Sequence, residues 1–208
     1  MSSPPPSGLT ELAMNEDLSP KAAEIAAHAR SLIEAGGYNS FSYADISDRV
    51  HISKASIHHH FPSKAELVRV VVARYREEAR EGMVALDRQL ADPLAELNAY
   101  VDYWSACIRG GTSSFCICAL LAVELPTIPK EIAAEVQGHF QDLAAWLTSL
   151  LKKGVAKGQF RLQGSPAVEA KAFMSAVHGA MLAARGFGDP QIFQALAPLA
   201  VNRLTSTV

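Results

Sequence analysis

Three consecutive histidines, His58, His59 and His60, stand within SKASIHHHFPSK, residues 53–64. Imidazoles at this density raise three chemistries: metal ligation, proton transfer and contact with anions. A metal needs converging ligands, which on a helix takes a spacing near four, as in the zinc-binding H-E-x-x-H pattern. Successive helical residues point about 100° apart and diverge. Proton transfer needs an adjacent nucleophile and a pocket, and a short surface helix offers neither. The third chemistry fits. With Ile57 pointing inward, Ser53 and Phe61 lie within about 40° of it, Lys54 and His60 flank it at about 60°, and Ala55, Ser56, His58 and His59 point outward. Small residues let a backbone approach a duplex closely, and hydroxyls and imidazoles reach phosphates and base edges in the major groove.

The segments that must position this stretch read as helices. Ser19-Pro20 is an N-cap followed by proline at the first helical position, and Ala22, Ile25, Ala26, Ala29, Leu32 and Ile33 recur on one face until Gly36-Gly37. Ser42 precedes YADISDRV, with Asp45 placed as in a capping box. HIS is a three-residue break. Ser53 caps the next short helix, which stops at Phe61-Pro62 because proline disfavours a helical predecessor. Ser63 and Glu66 form a second capping box, opening a long helix to about Leu90. Further helices are expected from Asp92-Pro93 to Arg109, from about Ser114 to Glu124, from Pro129 to Lys152-Lys153-Gly154, and after Ser165-Pro166 and Asp189-Pro190. The expected fold class is all-α: a three-helix N-terminal module plus a larger helical bundle, about nine helices in total. Residues 1–18, rich in Ser, Pro and Gly, are read as a flexible tail.

The bulk properties agree. A chain of 208 residues, 49% hydrophobic and 19% charged, has ordinary globular composition. No run is apolar enough to span a bilayer, and MSSPPPSG has neither the charge nor the apolar run of a secretion signal, so a cytoplasmic location is expected. Cys107, Cys116 and Cys118 give no disulfide framework. The net charge of −2 excludes a protein that coats nucleic acid by charge alone. From Ser19 to Glu66, Lys21, Arg30, Arg49, Lys54 and Lys64 face Glu24, Glu34, Asp45, Asp48 and Glu66, so the module is neutral.

The stretch SYADISDRVHISKASIHHHFPSKAELV, residues 42–68, resembles the helix-turn-helix of TetR/AcrR-type bacterial transcriptional regulators. Asp45, Ile46, Ser53, Lys54, Phe61, Ser63, Lys64 and Leu67 match that pattern in identity. Ser56, Ile57, Ile52 and Glu66 match in type or near register. The resemblance implies that KASIHHH is the recognition helix. It implies a DNA-binding domain at 19–67, with Ser42, Tyr43, His58, His59 and Lys64 toward the backbone, Lys54, Ala55 and Ser56 facing bases, and Ser53 among the DNA-binding residues. Residues 68–208 would bind an effector and dimerise. Two positions depart from the family. His51 replaces the glycine of the turn, so a non-glycine residue is expected in a left-handed conformation at a cost of about 1 kcal/mol. His58 replaces a tyrosine, which would make phosphate contact pH-sensitive.

For the larger domain the resemblance implies a pocket for a small apolar or amphipathic effector, with Trp104, Phe115, Cys116, Met174 and His178 as candidate lining. Aromatics at helical spacing are otherwise core. Cys116 and Cys118 point about 200° apart on a helix, against an internal disulfide or a shared metal. The expectation is a non-enzymatic, cofactor-free homodimeric repressor that a small molecule releases from a palindromic duplex. Its rivals are a thiol sensor acting through Cys116, a small enzyme pairing Cys116 with His139 or His178, and an all-α monomer that uses its last two helices as internal core.

Overall fold

The computed structural model describes residues 18–111 and 115–205. Among them are nine α-helices and no strand: α1 (Pro20–Gly36), α2 (Tyr43–Val50), α3 (Lys54–His60), α4 (Lys64–Leu90), α5 (Pro93–Gly110), α6 (Ile117–Val123), α7 (Lys130–Ala156), α8 (Pro166–Phe187) and α9 (Gln191–Thr205). The fold is all-α, with the helix-turn-helix first. The expected tail, apart from Leu18, and the expected helix start at Ser114 lie outside the described residues; α6 begins at Ile117.

The starts of the helices follow the caps. Ser19 Oγ accepts from the Ala22 amide at 3.3 Å, Asp92 Oδ1 from Ala95 at 2.9 Å and Ser165 Oγ from Val168 at 3.4 Å. Each cap is followed by proline, whose missing N–H is no loss in a first turn. The end of α7 departs from expectation, running past Gly154 to Ala156. Gly154 is there for space: a Cβ would lie 2.0 Å from Phe160 Cδ2, so the aromatic ring packs directly on the helix backbone. The stop comes at Gly158, with φ +72°.

Packing divides the chain into two compact units. The first holds the N-terminal helices to Ala79 with Ile117–His139, and the second holds Arg80–Cys116 with Phe140–Val208. In the first, Ile25, Ala29 and Ile33 of α1, Ile46 of α2, Ile57 of α3 and Leu67, Val68 and Val72 of α4 are all fully buried. Each large aliphatic contributes about 1.5–3 kcal/mol on burial. Arg30 fastens α1 to α4, donating to Glu78 at 2.7 Å and lying 5.1 Å from the centre of the Tyr75 ring. Burial opposes its charge most, but Glu78, Tyr75 and Glu34 together outweigh burial and keep the guanidinium ionised. The second unit is built on Leu97, Tyr100, Trp104, Leu147, Phe173, Val177, Met181 and Phe193. Glu169, buried, accepts from the Gly164 amide and from Arg203, joining α8 to α9.

His51 takes the left-handed conformation the sequence requires, with φ 55° and ψ 42°. Beside it, the Ser47 hydroxyl donates to the Ile52 carbonyl at 2.5 Å and holds the turn. A side chain in this region costs about 1–2 kcal/mol, partly offset by the freedom glycine loses on folding. His51→Gly is therefore expected to stabilise the protein by about 1 kcal/mol and raise the thermal midpoint by about 2–4 °C. A melting curve unchanged or lowered would show that the turn is not strained.

Candidate nucleic-acid interface

The interface is assembled from the first turns of α2, α3 and α4. Ser42 completes a reciprocal cap: its Oγ accepts from the Ala44 amide at 3.2 Å, while its own amide and hydroxyl donate to Asp45 Oδ2 at 2.7 and 2.8 Å. These bonds hold the Asp45 carboxyl below the ordinary carboxylate range. Ser53 Oγ accepts from the Ser56 amide at 3.1 Å and Ser63 Oγ from Glu66 at 3.1 Å. Buried Ile57 and Phe61 then fix the rotation of α3.

That rotation leaves Lys54, Ala55, His58 and His59 exposed and Ser56 half-buried on the outer face. The structure thus brings Ser53, Lys54, Ala55, Ser56, His58 and His59 onto one short helix and its cap. His58 Nδ1 lies 3.1 Å from the Pro62 carbonyl. A carbonyl only accepts, so Nδ1 carries the proton in that contact, and Nε2 donates outward only when the ring is doubly protonated.

Two other candidates are more deeply engaged. Tyr43 is buried; its hydroxyl donates to the Phe61 carbonyl at 2.9 Å and its ring meets His58 edge-on at 4.8 Å. Burial pushes the phenol up to about 12. Lys64 is half-buried, donates to the Phe41 carbonyl, and sits 4.2 and 4.6 Å from the ring centres of Phe41 and Tyr38. Desolvation lowers its pKa, opposed by Glu124 and Asp45.

Glu124, just after α6, was not signalled by any local motif. Its carboxylate accepts from the Tyr38 amide at 2.6 Å, from the Asn39 amide at 3.4 Å and from Asn39 Nδ2 at 3.3 Å. It grips the turn between α1 and α2. Gly37 makes the grip possible, because at φ +84° a Cβ would stand 2.5 Å from Glu124 Oε2.

The candidate effector residues all fall in the second unit. Trp104, Phe115 and Cys116 are buried, while Met174 and His178 are half-buried. The His178 ring meets Phe140 edge-on at 5.5 Å, and Arg185 lies 5.7 Å from the centre of the Phe115 ring. None of the five lines the 330 Å³ groove that the same unit carries beside Glu96 and Trp146. Cys116 and Cys118 are fully buried and Cys107 half-buried, and none of the three is in a disulfide. Burial of this kind goes with an inert thiol, since reaction needs an accessible thiolate. Among the described residues no group of three or more His, Cys, Asp or Glu gathers as metal ligands, and no helix is long and apolar enough to cross a membrane.

A capped helix-turn-helix with a small-residue outer face, heading an otherwise helical chain, defines a DNA-binding regulator. The chain belongs to the TetR family of bacterial transcriptional regulators: residues 25–71 match the family's N-terminal model, and residues 93–198 match the tetracyclin repressor-like C-terminal domain. A TetR-family transcriptional regulator from Agrobacterium tumefaciens is 49% identical, with a TM-score of 0.87 over 89% of this chain and 98% of that one. A TetR regulator from Legionella pneumophila, 24% identical, shares the fold at a TM-score of 0.79, over 91% of this chain and 100% of that one. So does FadR from Bacillus subtilis, solved with stearoyl-CoA, at 14% identity and a TM-score of 0.71, over 89% of this chain and 98% of that one. No curated protein matches the chain.

Proposed function

We propose that this TetR-family regulator is a cytoplasmic homodimeric repressor that reads a palindromic operator through α3 and leaves it when a small molecule binds. Residues 19–67 are the DNA-binding domain and 68–208 the effector-binding and dimerisation domain. The observation that carries the reading is the exposed face of Lys54, Ala55, His58 and His59 on a helix locked by buried Ile57. Lys54, Ala55 and Ser56 face bases; Ser42, Ser53, His58, His59 and Lys64 serve the phosphate backbone. Tyr43 contributes by fixing α2 to the end of α3. Effector held among Trp104, Phe115, Cys116, Met174 and His178 shifts α4 and so the separation of the two recognition helices. A coupling of about 1–3 kcal/mol changes affinity by about 5- to 150-fold, enough for a switch.

The test starts by selecting bound duplexes from a random library, then measures fluorescence anisotropy on the selected operator. Ser56→Ala is expected to alter sequence preference, costing about 1–3 kcal/mol at one base position. Lys64→Ala is expected to weaken all duplexes about equally and reduce the salt slope by about 1. Wild-type affinity and preference in both variants would remove this face from the interface.

A further inference from the structure

In the second unit a groove of 330 Å³ opens between the C-terminal half of α4, the first turn of α5 and the C-terminal half of α7. Its apolar wall is Met83, Val84, Trp146 and Leu150. Among its lining residues is Glu96, only 1% exposed, whose Oε1 is buried and accepts no hydrogen bond among the described residues. A buried carboxylate without a donor is costly, and a ligand bringing that donor recovers the cost.

We propose that this groove binds a small amphipathic amine, its ammonium on Glu96 and its apolar body along Trp146, Met83 and Leu150. The groove is separate from the effector residues proposed above, and the proposal rests on the ligand-responsive reading only for the consequence at DNA. The volume suits a compact ligand, at the low end of the range for small-molecule sites. The half-buried Trp146 offers a ring face to a cation. The lining carries Asp87, Glu96 and Asp142 against Arg80, Arg88 and Lys153, so the buried Glu96, not the surrounding charge, is what would select an ammonium over an anion. Asp87 on α4 holds Lys153 of α7 in an ion pair, Asp142 of α7 adds a second carboxylate, and Asp92 caps α5. Arg80 and Arg88 on α4, Lys153 of α7 and Lys157 just after it are exposed, as is Asp87, so water and salt weaken all of them, and Lys153 and Lys157 partly offset Asp87 at Glu96. Burial, then Asp87, raise the Glu96 carboxyl above its ordinary range. An ammonium opposes that rise, so amine binding is linked to loss of the carboxyl's proton.

The probe is 2-phenylethylamine, with phenylacetate as the same body carrying the opposite charge, titrated calorimetrically into the full chain without DNA. The expected result is one amine per protomer, with proton release seen as a heat that depends on the buffer's ionisation enthalpy, and no saturable phenylacetate binding. Glu96→Gln, which keeps the side-chain shape, should weaken the amine at least tenfold and abolish the proton release. Ser149→Trp, on the exposed rim, should block the groove without touching the core. Equal binding by Glu96→Gln, or no saturable amine binding, overturns the proposal, and intact operator binding by the same sample shows that the regulator reading stands. Amine binding that leaves operator affinity unchanged upholds the groove and removes the amine as the effector.

Discussion

Ala55→Trp should abolish specific operator binding, lowering affinity at least 100-fold, while leaving the thermal midpoint within about 2 °C of the parent. The two halves of this outcome have separate causes. Ala55 is exposed on the leading turn of α3, so the indole meets solvent in the free protein; surface substitutions of this kind usually shift stability by less than about 0.5 kcal/mol. In the proposed complex the same position would face the floor of the major groove, where a ring standing between backbone and bases would lift Lys54 and Ser56 out of hydrogen-bond range. A side chain pulled away from its base edge costs about 1–3 kcal/mol, and two pulled away together reach the predicted factor. Charge will not rescue the complex, because the module from Ser19 to Glu66 carries five cations and five anions. Ala55→Ser is the control, adding one atom and keeping binding within a few-fold. The measurement is anisotropy on the selected operator, with a melting curve of each variant. Parental affinity in Ala55→Trp would mean that α3 does not enter the groove.

The features legible in the sequence were those with local causes. Cap, proline and breaker residues act within one turn, so Ser19-Pro20, Ser42 with Asp45, Ser53 before Phe61-Pro62, and Ser63 with Glu66 placed α1 to α4 closely. The left-handed turn at His51 was legible through the resemblance, whose pattern has glycine at this position of the three-residue break between α2 and α3. Helix ends set by contacts distant in sequence were not. Gly154 reads as a stop and is a packing site for Phe160, because the sequence does not say which ring lies over it. The same blindness hid Glu124, whose partners Tyr38 and Asn39 lie more than eighty residues earlier. Tyr43 shows the limit at the interface itself. The resemblance implies a phosphate contact for it, but whether a tyrosine hydroxyl points outward depends on which carbonyl the fold brings near it, here that of Phe61.

The division between core and surface on α8 and α9 was equally beyond periodicity. Apolar residues crowd both helices, Phe173, Val177, Met181, Phe193 and Leu204 along with Leu196 and Leu199. The first five are buried in the protomer and the last two are not. Leu182 and Phe187, which sequence reading passed over, are exposed as well. The distinction matters, because an all-α monomer would use the whole set internally.

Leu182→Glu combined with Leu199→Glu is therefore expected to convert the protein to a monomer and to lower operator affinity at least 100-fold. Leu182 is 62% exposed, Leu199 58%, Phe187 79% and Val168 60%, a concentration of bare apolar side chains that a monomer rarely carries. Along α8, Ser175, Gly179 and Gly186 share the stripe of Leu182 at three- and four-residue steps and are exposed. A Cβ at Gly179 or Gly186 would meet nothing within 4 Å, so the protomer's own packing does not demand these glycines; a second helix approaching closely would. In a two-fold interface each substitution appears twice, setting glutamates against one another away from water, and like charges so placed cost several kcal/mol. In the separate protomer the same glutamates are solvated, so circular dichroism should be unchanged. A monomer reads one half-site instead of two spaced about 34 Å apart, and forfeits the gain in affinity from engaging both at once. Sedimentation velocity reads the oligomer and anisotropy the DNA. A double variant that sediments as a dimer would move the interface elsewhere, and a parent that is already a monomer would leave α8 and α9 without the role argued for them.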